Sequence, residues 1–119
     1  MDSRDNSRLL GMISMSKRAG KLTAGFDTVA EGVRAGSISC VFFASDISPK
    51  TLKEINYVCK QENARLIPLP VTMDDIGRLT AKRAGIIAVN DAGLRRKISE
   101  LALEEPAQEE QALNDGGKI

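Results

Sequence analysis

The chain has 119 residues, of which 42% are hydrophobic and only 3% aromatic, and this content suffices for one domain with an aliphatic core. Its net charge is only +1, and it has no histidine, so it lacks the commonest proton shuttle and the usual zinc ligand. Catalysis and a metal site are therefore disfavoured, and no glycine pattern matches a Walker loop or a dinucleotide fingerprint, so no cofactor is expected. No apolar run approaches the roughly 18 residues that span a bilayer.

Helices and strands alternate in the first part of the chain. Apolar residues at helical spacing predict a first helix over about 4–19, which Gly20 closes. The next segment, KLT, is predicted as a very short strand. After Gly25, apolar residues recur at i, i+3, i+4 and i+7, a pattern that predicts a second helix ending at Gly36.

The middle of the chain predicts a buried strand, a helix and an edge strand. The near-continuous apolar run SCVFFAS is typical of a strand covered on both faces. Ser48 is a favourable N-cap for the helix that follows, with a proline at its first position. In ARLIPLP the prolines limit the strand and indicate that it lies at the edge of the sheet.

The last elements complete a regular alternation. Thr72 is predicted to cap a short helix, GIIAVND to form a strand, and Ala92–Leu103 to form the final helix. Helices that connect successive strands cover both faces of a sheet. The sequence therefore predicts an α/β fold, namely a three-layer α/β/α sandwich with a small mixed four-stranded sheet.

Charge is distributed unevenly along the chain. Of 17 Lys and Arg residues and 16 Asp and Glu residues, the segment from Glu104 onward holds one lysine and five acids, which leaves residues 1–103 with 16 cations against 11 acids. We therefore predict a basic single domain over 1–103 and an acidic, disordered tail over 104–119 that competes with an anionic partner.

One basic segment precedes the second helix. The stretch SKRAGK places three cations, Lys17, Arg18 and Lys21, within six residues, and Gly25 then stands directly before the helix. A helix N-terminus has unpaired amides that attract phosphate, and a glycine lets another backbone approach closely. The segment is either an ordinary surface turn or a docking point for a phosphate backbone.

Two neighbouring segments extend this candidate site. The helical spacing leaves three acceptor-bearing side chains outward, which suits the reading of base edges: Asp27, Thr28 and Glu31. Before the last strand, KRAG forms either a polar loop or a basic lip that clamps RNA. Its residues are Lys82, Arg83, Ala84 and Gly85.

Two aspartates would instead fit an enzyme or a protein that binds a small ligand. Asp46 and Asp91 follow predicted strands, at the place where open α/β sheets bind ligands. Both are more simply explained as loop or capping residues.

Cys40 and Cys59 fall in apolar elements and suit the reducing cytoplasm, with a disulfide as the less favoured alternative. The first residues lack the apolar core of a signal peptide, so we expect a cytoplasmic protein.

From Leu9 to Leu101 the sequence resembles the ribosomal protein L7Ae superfamily, and within it the bacterial YlxQ-like branch. The resemblance is carried by AGKL and the glycine that follows, RAG with VFFASD, IGRL and AVNDAGL. It implies the same α/β/α sandwich and binding of kink-turn RNA, a sharply bent helix with tandem sheared G·A pairs. It also implies that Gly25 is the first residue of the RNA-binding signature.

The signature departs from the family after that glycine. Asp27, Thr28 and Glu31 stand where the resemblance implies Asn, Glu and Lys. Asp27 lacks the amide donor, Thr28 is a shorter acceptor, and Glu31 reverses the charge that faces RNA. Each change removes a contact worth about 1–3 kcal/mol of discrimination.

The resemblance and the basic segments together predict a non-catalytic, monomeric RNA-binding protein that is either ribosome-associated or bound to structured, kink-turn-like RNA. The predicted contacts are made by the N-terminus of the second helix and the loop before the last strand. RNA and ribosomal proteins are the expected partners, with no membrane. The cations expected to contact RNA are Lys17, Arg18, Lys21, Arg34, Lys82 and Arg83. The alternative is a protein-interaction adaptor of the translation machinery with a degenerate RNA face.

Overall fold

The predicted helices and strands appear in the predicted order in a computed structural model, which describes residues 6–103. In that range the helices are α1 (Ser7–Arg18), α2 (Phe26–Arg34), α3 (Pro49–Glu62), α4 (Met73–Thr80) and α5 (Ala92–Leu103). The strands are β1 (Leu22–Ala24), β2 (Cys40–Phe43), β3 (Arg65–Pro68) and β4 (Ile86–Val89).

The four strands form one mixed sheet in the order β1-β4-β2-β3. β4 is antiparallel to both of its neighbours, and β2 and β3 are parallel. β3 lies at the edge, as its prolines predicted, because Pro68 has no N–H with which to pair a further strand.

Helices cover both faces of the sheet. Alternate residues of β2 and β4 point to opposite sides, so Phe42 and Ile87 pack under α1, α4 and α5, while Val41 and Ala88 pack under α2 and α3. This arrangement confirms the three-layer α/β/α sandwich.

Local capping signals set where helices begin and end. The Ser48 hydroxyl accepts a hydrogen bond from the amide of Thr51, and Thr72 and Asp75 form a reciprocal capping box at α4. α4 ends at Thr80, because Ala81 adopts a left-handed conformation with φ of 65°. KLT was predicted as the first strand, whereas β1 is shifted by one residue and pairs from Leu22 onward.

The predictions about the cysteines and about membrane spans can be compared with the described residues. Both cysteines are buried and free, with Cys40 packed among α1, α4 and α5 and Cys59 among α2 and α3. Over residues 6–103, no helix has the length and apolar character needed to cross a membrane. The predicted acidic tail, 104–119, lies outside the described residues.

Candidate nucleic-acid interface

The glycine before α2 and the loop before β4 lie side by side. Gly25 has φ of 112° and ψ of 140°, and its amide donates to the carbonyl oxygen of Ile86 at 2.9 Å. The Lys82 ammonium lies 3.2 Å from the point that a Cβ on Gly25 would occupy. It also donates to the carbonyl oxygen of Ala24 at 3.5 Å. Two segments far apart in sequence therefore meet at one place.

The register of the sheet causes this meeting. β1 and β4 are antiparallel, with Ala24 opposite Ile87, so Gly25 faces Ile86, the first residue of β4, and lies next to the loop that precedes it. We call this place the upper rim, the rim of the sheet at which β1 ends and β4 begins. It comprises Gly25, the first turn of α2 and residues 82–85.

The outward face of α2 matches the sequence prediction. Asp27, Thr28 and Glu31 are exposed, because Val29, Ala30 and Val33 form the buried side of the helix. Arg34 is also exposed but lies in the last turn. At a rise of about 1.5 Å per residue, it is about 12 Å along the helix from its N-terminus.

Arg83 belongs to the upper rim but already has a partner. Its Nε donates to a carboxylate oxygen of Asp74 at 2.7 Å, and this hydrogen bond raises the pKa of the guanidinium. Both side chains border an open depression of about 440 Å³ together with Lys82 and Arg78. The local charge is therefore mixed, and Lys82 is the cation nearest to Gly25.

The rest of the loop holds Lys82 in place. The Thr80 hydroxyl donates to the carbonyl oxygen of Lys82 at 2.9 Å, closing the turn after α4. Ala84 is only 6% exposed, and a side chain on Gly85 would collide with Ile47 and press on Met73. Ala84 and Gly85 thus form the packed base of the predicted lip.

The basic segment before β1 lies at the other end of the strands. The backbone carbonyl oxygen of Lys21 accepts a hydrogen bond from the amide of Asn90 at 2.7 Å, next to the end of β4. Gly25 lies four residues further along the extended chain, about 13 Å away. Lys17 and Arg18, in the last turn of α1, adjoin Lys21. The structure therefore does not bring these three cations together with Gly25.

The two candidate ligand-binding aspartates act as caps. A carboxylate oxygen of Asp46 accepts from the amide of Met73 at 2.9 Å, and one of Asp91 accepts from the amide of Leu94 at 2.8 Å. Both hydrogen bonds satisfy amides in the first turn of a helix, α4 and α5 respectively. Within residues 6–103, no group of three or more potential metal ligands is present.

One group of cations was missed by sequence reasoning. Arg65 at the start of β3 and Arg95 and Arg96 on α5 border an open depression of about 400 Å³. The pair RR was visible in the sequence, but its proximity to Arg65 depends on the strand order. Burial raises the pKa of the Cys40 thiol in the adjoining core, although Arg65 and Arg95 act in the opposite direction.

Residues 7–98 match the model of the ribosomal protein L7Ae/L30e/S12e/Gadd45 family. The chain belongs to this family. Its members are non-catalytic RNA-binding proteins of ribonucleoprotein particles, so the resemblance found in the sequence is confirmed at the level of the family. The YlxQ-like branch stays a prediction.

Solved structures show the same fold. A protein of unknown function from Bacillus halodurans is 26% identical, with a TM-score of 0.74, over 82% of this chain and 99% of the other. The Giardia lamblia 15.5kD RNA binding protein is 14% identical, with a TM-score of 0.65, over 86% of this chain and 97% of the other. At that identity the second likeness concerns the fold alone. Comparison with curated proteins finds no match.

Proposed function

We propose that this family member is a non-catalytic protein that binds structured RNA at the upper rim. The observation that carries the proposal is the position of the Lys82 ammonium beside the glycine that opens α2. The free amides and positive dipole end of α2 attract a phosphate, and Gly25 leaves room for it. Lys82 then supplies a cation to the same or the next phosphate.

The exposed side chains of the first turns of α2 would face the bases. Asp27, Thr28 and Glu31 all offer acceptors, so they select exposed base amino groups rather than phosphates. We propose a kink-turn-like RNA that presents such groups, with weakened recognition of the standard motif. Ala84 and Gly85 support the lip, and Arg83 approaches RNA while paired with Asp74.

The domain boundaries, oligomeric state, family branch and cellular location are proposed together with RNA binding. We assign a single RNA-binding domain to residues 1–103, followed by the acidic tail 104–119, in a ribosome-associated, cytoplasmic monomer of the YlxQ-like branch. Family membership supports the ribonucleoprotein setting. The two free, buried cysteines are consistent with a reducing compartment.

The adaptor alternative lacks a comparable observation. A large contiguous exposed apolar patch would mark a protein-docking surface. The large exposed apolar side chains among residues 6–103 are Met15, Tyr57 and Leu103, and they lie on three different helices. We therefore retain RNA binding as the single proposed function.

The test is a titration of the full chain against a kink-turn RNA, the same RNA with its G·A pairs made Watson–Crick, and a plain duplex, each at two salt concentrations. We expect preference for the kink-turn. Lys82→Gln should weaken binding several-fold and reduce the slope of log K against log salt by about 0.9. Lys53→Gln, an exposed lysine on α3, is the charge-matched control. Wild-type affinity in Lys82→Gln would refute the proposed interface.

A further inference from the structure

The rim opposite the upper rim gathers cations from α1, β3, α5 and the loop before β1. We call it the lower rim, the place where β1 and β3 begin and β4 ends. Leu22 pairs with Val89, and Arg65 pairs with the first residue of β2, so both strand starts lie at this rim. The cations of the lower rim are Lys17, Arg18, Lys21, Arg65, Arg95 and Arg96.

These cations are available to a partner. All are exposed except Arg95, which is half-buried and donates weakly to the carbonyl oxygen of Val89 at 3.4 Å. Over residues 6–103, the ion pairs of the structure join Arg78 to Asp75 and Arg83 to Asp74, both on the side of α4. The acids at the lower rim include Glu100 and Asp91, and the latter is engaged in capping α5.

The shape of the lower rim fits an extended polyanion. β1 and β3 are three strand spacings apart in the sheet, about 14 Å. The depression of about 400 Å³ between Arg65, Arg95 and Arg96 is open rather than enclosed. Arginine guanidiniums bind phosphate oxygens through paired N–H groups. A row of cations of this width can neutralise several phosphates of one strand or duplex.

We propose that the lower rim is a second RNA-binding surface, which contacts the phosphate backbone of the RNA whose bend is held at the upper rim. This inference rests on the proposed function. The two rims are separated by the length of the strands, about 13 Å. At about 3.4 Å per base pair, an RNA arm that leaves the upper rim along the sheet reaches the lower rim once it is longer than about four base pairs. A minimal kink-turn whose arms are trimmed below that length does not reach it.

The experiment compares a minimal kink-turn with the same RNA extended by one helical turn on each arm, at three salt concentrations. Arg65→Gln and Arg96→Gln should leave the minimal RNA unaffected and weaken the extended RNA several-fold. Each should reduce the salt slope for the extended RNA by about 0.7–0.9. Lys53→Gln is again the control for one lost charge, and thermal melting verifies that each variant is folded.

The two proposals fail in different ways. If Lys82→Gln binds both RNAs like the wild type while Arg65→Gln and Arg96→Gln weaken the extended RNA, the lower rim stands and the upper rim is wrong. If both arginine variants bind the extended RNA like the wild type, the second surface is refuted. A wild-type chain that binds neither RNA refutes both.

The acidic tail is the competing occupant, because Leu103 borders the same depression and Glu104 follows it directly. A full chain with Glu104, Glu105, Glu109 and Glu110 changed to Gln separates the two cases. If Arg65→Gln and Arg96→Gln weaken binding of the extended RNA equally before and after this change, the lower rim binds RNA in the full chain. If the two substitutions weaken binding only after the change, the tail occupies the lower rim, and the proposal is overturned for the full chain.

Discussion

Replacing Gly25 by alanine tests both the backbone and the proposed interface. A φ of 112° with a ψ of 140° is a conformation that residues with a side chain rarely adopt, and forcing it costs about 1–3 kcal/mol. At about 4 °C per kcal/mol for a domain of this size, Gly25→Ala should lower the melting temperature by about 4–12 °C. Thermal unfolding followed by circular dichroism measures the change.

Gly25→Ala should also weaken RNA binding. The new methyl group would lie 3.2 Å from the Lys82 ammonium, the far end of a flexible side chain, so Lys82 moves away at little cost in stability. The helix N-terminus then loses both its open approach and its nearby cation. We expect affinity for the kink-turn RNA to fall by at least as much as in Lys82→Gln, at a temperature where the variant is folded.

Gly11 supplies the matched control. It lies exposed in α1, and a Cβ there would meet nothing within 4 Å. Alanine is favoured over glycine inside a helix by about 0.5–1 kcal/mol, so Gly11→Ala should raise the melting temperature. The same chemical change thus has opposite signs at the two positions. A melting temperature for Gly25→Ala at or above that of the wild type would refute the reasoning.

Three further predictions concern stability. Thr72→Ala removes the hydroxyl that accepts from the Asp75 amide at 3.1 Å, so the free energy of unfolding in urea should fall by about 1 kcal/mol, and Thr72→Ser should restore most of it. The amide of Thr72 lowers the pKa of Asp75 below its usual 3.8, so this carboxylate stabilises the fold above pH 3.8 and loses that effect as the pH falls through its folded pKa. The stability difference between the wild type and Asp75→Asn should therefore shrink on acidification, and a constant difference would contradict the assignment. Burial raises the pKa of both Cys40 and Cys59 above 9.0, so stability should decline as the pH rises through 9.0, where the unfolded thiols ionise. Native thiols should also react with a thiol reagent far more slowly than unfolded ones, and equal rates would contradict their burial.

The fold was predictable because its signals are local. Helical spacing, the Ser48 and Thr72 caps and the prolines of β3 each depend on a few neighbouring residues, and they identify every helix and strand of residues 6–103. The boundaries of β1 depend instead on pairing with β4, and the prediction missed them by one residue. The end of α4 depends on the left-handed conformation of Ala81, which no pattern in the sequence indicates because alanine rarely adopts it.

The candidate site was less predictable because it depends on contacts between distant residues. Lys21 and Gly25 are close in sequence, but an extended strand places them at opposite rims. Lys82 is far from Gly25 in sequence, and the antiparallel register brings the two together. Arg65 joins Arg95 and Arg96 only because β3 lies beside β2 in the sheet.

The two outer strands of the sheet limit how this protein can associate. An outer strand with a free row of backbone groups is a template for strands from other chains. Here β1 offers only three residues, and β3 has a charged residue at its start, Arg65, and a proline without an N–H at its end, Pro68. Copies of the protein therefore gain little by extending one another's sheets, which protects a crowded solution of it against aggregation. Its partners must be held by side chains and helix ends instead.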